Sequence, residues 1–230
     1  MKIRFSTAND IALELFPPKP VKSVIPEWYK NTPHTIFDPK NANAYEGNPQ
    51  MTPYTVTSCI PVRDYMTSGY VILNDVDRVI TPLEDRDPVD FSDHSPIGPM
   101  MFHPHAQCPV KIQGRDRHYF KVPNPWDINT PRGYSCLFYQ PAYLFESRFQ
   151  MLPAIVDTDR YNMPINFIGA ITSPESFVLE AGTPLMVVFP FKRDEWESEV
   201  KLQSPKHDRL RLVYLNKIYQ RFFHNKKVYR

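Results

Sequence analysis

The chain has 230 residues, 42% hydrophobic and 13% aromatic, and 27 basic against 25 acidic side chains leave a formal charge of +2. That apolar content supports one large core or two small ones and argues against a disordered chain. The balanced charge gives no specific nucleic-acid signal, and no run approaches the roughly 20 apolar residues of a membrane-spanning helix, so no transmembrane segment is predicted.

In chain order, residues 2–6 (KIRFS) predict a strand and Asn9 to Leu15 a short apolar turn, stopped by Pro17 and Pro18. PPKPVKSVIPEWYKNTP reads as an extended, polyproline-like arm with one helical turn, PEWYK, anchored by Trp28 and Tyr29. Residues 37–52 read as a polar loop. Thr55 to Ile60 (TVTSCI) and Gly69 to Leu73 (GYVIL) carry strand signals, with a helical turn at Arg63 to Thr67. Residues 81–100 read as a long Pro- and Asp-rich loop. Further strands are predicted at 102–107, 110–112, 118–122, 126–128, 134–140, 154–157, 165–171, 176–179 and 185–191. A turn at Gln113-Gly-Arg-Asp separates two of them, and EAGTPL makes a tight turn before the last.

Proline occurs 25 times and glycine 7, against average usage of roughly 5% and 7%. Proline cannot donate to a sheet ladder and stops helices, so a Pro-dense, aromatic-rich chain favours short strands and ordered loops. The fold class predicted is therefore all-β, a jelly-roll or double-stranded β-helix-like sandwich over residues 1–203. Residues 1–53 are its extended Pro-rich arm and loop. From Ser204 and Pro205, apolar residues at Leu212, Leu215, Ile218, Tyr219, Phe222 and Phe223 recur at near-helical spacing among basic ones. Residues 204–230 thus read as a basic amphipathic C-terminal helix, either packed on the sheet or docking an acidic partner or membrane surface.

Cys59, Cys108 and Cys136 are odd in number, widely spaced and form no CxxC pair. Reduced, mostly buried thiols are predicted. MKIRFSTAND has no apolar signal core, so a soluble cytoplasmic protein is expected.

The ordered series TVTSCIPVRDYMTSGYVI, FHPHAQ, KVPNPWDINTPRGYS, IVDTD and GTPLMVVFPFKR resembles an uncharacterised family of marine tailed phages, of cyanophage type, with distant bacterial relatives. The resemblance spans nearly the whole chain. Matching positions include His103, Pro104, Gln107, Lys121, Trp126, Thr130, Gly133, Tyr134, Ser135, Asp157, Asp159, Gly182 and Arg193; Arg132 and Ala154 depart from the family pattern. The resemblance implies a phage-encoded protein in the cytoplasm of the infected bacterial host, or in the virion, and supplies no reaction.

Three constellations could carry chemistry. On a strand, His103, His105 and Gln107 share a face, and with Asp157 or Asp159 they would hold a divalent first-row metal in the manner of a cupin or non-haem oxygenase. Pro104 disturbs that strand, and the same groups suit loop hydrogen bonding. Asp157 and Asp159 form a second pair, able to work as acid and base or to cap turns and pair with Arg160, Lys192 or Arg193. Lys121, Trp126, Tyr134 and Arg193 are ligand-binding candidates, or core aromatics rimmed by cations. With no recognisable catalytic set, binding of a protein partner, a second copy or a small ligand is the leading expectation. A metal enzyme is the alternative, and a virion component the weaker one.

Overall fold

A computed structural model describes residues 1–35, 54–82, 89–92, 94–107, 109, 119–202 and 222. The loop at 37–52, the strand at 110–112, the turn at 113–116 and the helix at 204–230 fall outside the described residues, apart from Phe222. Two compact units emerge, Met1–Lys192 and Arg193–Arg230.

The first unit opens with β1 (Arg4–Ser6), α1 (Asp10–Leu15), β2 (Lys19–Pro20), α2 (Glu27–Asn31) and α3 (Ile60–Thr67). It continues with β3 (Tyr70–Leu73), β4 (Arg78–Pro82), β5 (Val89–Ser92), β6 (Met101–His103), β7 (Tyr119–Val122), β8 (Asp127–Asn129) and β9 (Tyr134–Tyr139). It closes with β10 (Phe149–Met151), β11 (Ala154–Val156), β12 (Phe167–Ile171), β13 (Phe177–Leu179) and β14 (Pro184–Lys192). Every strand pair among the described residues is antiparallel. The strands form four sheets, ordered β1-β8, β10-β12-β7-β6, β11-β9-β14-β3-β2 and β13-β4-β5. The protein is thus mostly β, as its composition predicts.

One core joins the four sheets. Phe138 of β9 meets Phe167 of β12 at 6.1 Å, and Ile80, Ile128, Phe120, Phe149 and Leu179 complete it. The last strand is apolar without interruption because both its faces are covered. Leu185, Met186 and Val188 enter the main core, whereas Val187 packs with Val21 and Val71 in a second cluster. A register shift between Pro184 and Met186 breaks the alternation there.

That second cluster corrects the extended arm. Lys19–Pro20 pairs with Val71 and Tyr70 at the sheet edge. Val21 and Tyr29 are buried, so the Pro-rich segment is a cover for the five-stranded sheet. Asn9 accepts from the Ala12 amide at 2.8 Å, which caps α1 where only a turn was expected. TVTSCI is not a strand. It forms a 3-10 turn at Val56–Ser58 running into α3. The Thr55 hydroxyl accepts from the Thr57 amide, and Pro61 lies at the start of α3, so local capping overrides β-branched propensity. The loop expected at 81–100 holds the end of β4 and β5, which pair as Val79↔Ser92 to Pro82↔Val89. The strand at 102–107 ends at His103, because residues 105–107 form a 3-10 turn in which the Gln107 amide donates to the Pro104 carbonyl at 2.9 Å. Among the thiols, Cys136 is buried as expected, and Cys59 is exposed.

Gly69 joins α3 to β3 with φ +91, and an added Cβ would sit 2.7 Å from the Val188 carbonyl oxygen. Backbone strain and overpacking act together at this point. Gly69→Ala is expected to lose about 2–4 kcal/mol, measured by urea denaturation.

In the second unit, residues 193–202 have no regular secondary structure, and Trp196 is 89% exposed.

Candidate functional site

The residues singled out in the sequence stand on several different elements. Trp126 lies in the main core. Lys121 stands on β7 opposite Met101, and Tyr134 begins β9 opposite Lys192. Arg193 belongs to the second unit. His103 is buried on β6 with its Nδ1 unpartnered. Burial, with Lys121 nearby, pushes its pKa below the usual imidazole range, so the ring is neutral near pH 7. Gln107 is exposed on the 3-10 turn that also carries His105, so the two-residue alternation behind the proposed metal face stops at His103. Among the described residues, no three His, Cys, Asp or Glu side chains are grouped to hold a metal ion.

Asp157 and Asp159 follow β11 and brace the β8–β9 turn. Asp157 accepts from the Ser135 hydroxyl at 2.7 Å, and Asp159 accepts from the Gly133 amide at 2.7 Å. Thr158, between them, bonds the Thr130 hydroxyl and donates to the Cys136 sulfur. Each carboxylate therefore serves the turn as an acceptor.

A different site assembles where β9 ends. Pro141 stops the strand, and Ala142–Leu144 make a 3-10 turn. The turn closes on Phe145, whose backbone is left-handed at φ 53, ψ 37. A non-glycine residue takes this conformation at a cost, so the surroundings must enforce it. Two bonds from other elements fix the turn. The Ala142 amide donates to the Tyr65 hydroxyl of α3 at 3.0 Å, and the Trp28 indole of α2 donates to the Tyr143 carbonyl at 3.0 Å.

The result is a connected set of rings. Trp28 lies 5.7 Å from Phe145 and 6.4 Å from Tyr143. Tyr65 lies 5.3 Å from Tyr143 and 5.4 Å from Tyr139. Phe145 is 69% exposed and Trp28 37%. Beside this ridge a cleft of about 450 Å³ runs along β10, lined by Tyr139, Gln140, Phe145, Glu146, Gln150 and Thr172 among others. That volume lies within the range of small-ligand pockets, and its lining combines rings with several polar side chains. Burial pushes the Tyr139 phenol well above its usual range and raises that of Tyr65. Both stay protonated at neutral pH and can stack or donate but not act as bases.

Arg148 holds Glu146, one of the residues that line the cleft. Its guanidinium grips Glu146 at 2.9 and 2.8 Å, donates to the Val178 carbonyl at 2.8 Å, reaches Glu180 at 3.2 Å and lies 5.2 Å from the centre of the Phe177 ring. Burial acts to raise the Glu146 carboxyl, but hydrogen bonds from Arg148 outweigh it and hold the group below its ordinary 4.5. Its own backbone amide, then Arg148, lower Glu180. A depressed carboxyl contributes stability above its unfolded value that is lost as pH falls through the folded one. The unfolding midpoint in urea should therefore fall as pH drops below about 4.5. In Glu146→Gln that acid slope should be shallower; an unchanged slope would refute the linkage.

Sequence reasoning missed this site. The signal available was the ring-rich run Tyr139, Tyr143, Phe145 around Pro141, but its partners Trp28 and Tyr65 are remote in sequence. No family model and no curated protein matches the chain. Among solved structures, EIAV dUTPase in its native form is similar at 12% identity and a TM-score of 0.34, over 58% of this chain and 87% of that one. A likeness of that size carries no argument about function. Among the described residues no helix is long and apolar enough to cross a membrane.

Proposed function

We propose that this is a phage-encoded accessory protein of the infected bacterial cytoplasm that acts by binding, and that it captures its ligand or protein partner at the Trp28–Tyr143–Phe145 ridge and the cleft beside it. The finer jelly-roll description of its sheets belongs to the same reading. The observation that carries the reading is Phe145, a large apolar side chain held outward in a costly backbone conformation. Exposed rings of low conformational entropy are the usual anchors of binding surfaces.

The test places the photoreactive phenylalanine analogue benzoylphenylalanine at position 145, with Tyr161, also exposed, as control. Illumination in cells producing the protein should yield a discrete adduct at 145 and none at 161. No adduct at 145, or the same adducts at both, removes the reading. A companion prediction concerns the stored strain. Phe145→Gly should raise stability by about 0.5–1 kcal/mol in urea denaturation while abolishing capture.

A metal-dependent reaction is the second reading, favoured by the buried, unpartnered Nδ1 of His103. Elemental analysis of protein purified without chelator decides it. Stoichiometric iron, manganese or zinc that disappears in His103→Ala would displace the binding reading, and metal-free folded protein would end the metal one.

A further inference from the structure

β10 is the edge strand of its sheet. Its inner side pairs with β12: the Leu152 amide donates to the Ile168 carbonyl at 2.8 Å, and the Thr172 amide to the Arg148 carbonyl at 2.9 Å. With residues 148 and 152 turned toward β12, strand alternation turns the carbonyl of Phe149 and the amide of Met151 outward, toward the cleft. This acceptor–donor pair flanks Gln150, and it is the pair that an added strand engages in either direction.

In the structure a side-chain carboxamide stands in that position. Gln140 Oε1 accepts from the Met151 amide at 2.8 Å, and Gln140 Nε2 reaches the Phe149 carbonyl at 3.5 Å. A carboxamide has the donor and acceptor of a peptide group. Gln140 is therefore a one-residue surrogate strand that covers an edge which would otherwise recruit other chains. One of its two bonds is long, and it is held by a flexible side chain, so a true backbone can displace it.

We infer that the cleft takes an extended peptide segment of a partner protein. The peptide adds to β10 as a further strand, replaces the Gln140 carboxamide, and sets an aliphatic or aromatic side chain against Phe145. The inference rests on the binding role proposed for the cleft and specifies its occupant. Backbone bonding to an open edge with an apolar pocket alongside is an established way of recognising peptides. The occupant follows from the hydrogen-bond complement, since the groups Gln140 now satisfies are those of a peptide backbone.

The test starts from a random seven-residue peptide library displayed on phage, selected on the full-length protein. Phe145→Asp serves as the counter-selection. Enriched peptides are synthesised and titrated calorimetrically, then remade with one backbone amide N-methylated at a time. Strand addition predicts a loss of about tenfold or more at alternate amides only, because only alternate amides face β10. Gln140→Ala, which removes the competitor, should tighten binding about three- to tenfold. Peptides that bind, are lost in Phe145→Ala and tolerate every N-methylation would overturn strand addition while leaving the cleft as the binding site. No enrichment over the Phe145→Asp control would overturn the peptide occupant, and the adduct at position 145 would still judge the cleft separately.

Discussion

Arg78→Ala is expected to cost about 3–5 kcal/mol, a large share of the 5–15 kcal/mol that typically holds a domain folded. Arg78 is fully buried at the start of β4, and Asp75 is 6% exposed. The guanidinium donates to the Asp75 carboxylate at 2.5 Å and through Nε to the Asn74 side-chain oxygen at 3.0 Å. The second oxygen of Asp75 accepts from the Ser95 hydroxyl, which in turn accepts from the Ile97 amide at 3.1 Å. Asn74 donates to the Leu179 carbonyl at 2.9 Å at the end of β13. One buried cation thereby ties the β3–β4 junction, the 95–97 turn and β13 to one another.

Removing the arginine leaves Asp75 as a buried charge without its cation, which is the expensive outcome. Removing both charges should be cheaper. Arg78→Met combined with Asp75→Asn is expected to recover a substantial part of the loss. Urea denaturation of the two single variants and the double variant checks this. A single-variant cost below about 1 kcal/mol would mean that water or a rearranged partner reaches the site.

Nothing in the stretch Asn-Asp-Val-Asp-Arg marks it as interior. Short polar residues between two apolar runs read as an exposed turn, and their burial depends on β13 arriving from a hundred residues downstream. The same physics divides the rest of the molecule. β9 and β14 were legible because long apolar runs bounded by Pro and Gly leave few alternatives. β10 was not, since Phe-Gln-Met is too short to show a period. TVTSCI was misread because a hydroxyl cap and Pro61 act locally where propensity acts only on average. His103-Pro-His invited a strand-face reading that Pro104 ends.

The aromatic ridge was hidden for a further reason. Trp28 reads as an anchor for the arm, and so it is, but it anchors by donating its indole hydrogen to the Tyr143 carbonyl. That bond is what leaves its ring partly exposed beside Phe145. Bonds between remote elements, Trp28 to the Tyr143 carbonyl and the Ala142 amide to Tyr65, join residues 28 and 65 to the segment from 139 to 145.

Trp126 poses the opposite problem, a residue that the sequence offers as a ligand platform. In the structure it is 2% exposed and belongs to the main core. Its backbone is pinned by Asn124, whose side-chain oxygen accepts from the Trp126 amide at 3.3 Å and whose Nδ2 donates to its carbonyl at 3.0 Å. This Asx-type brace turns the indole inward ahead of β8. Trp126→Ala should therefore lose about 3–5 kcal/mol through the cavity it leaves, and Trp126→Phe roughly half of that. Capture at position 145 should persist in Trp126→Phe, because the phenyl ring keeps most of the core filled. The two measurements separate the roles. Loss of capture with stability intact would make Trp126 a binding residue after all, whereas loss of stability with capture intact places its whole contribution in the core.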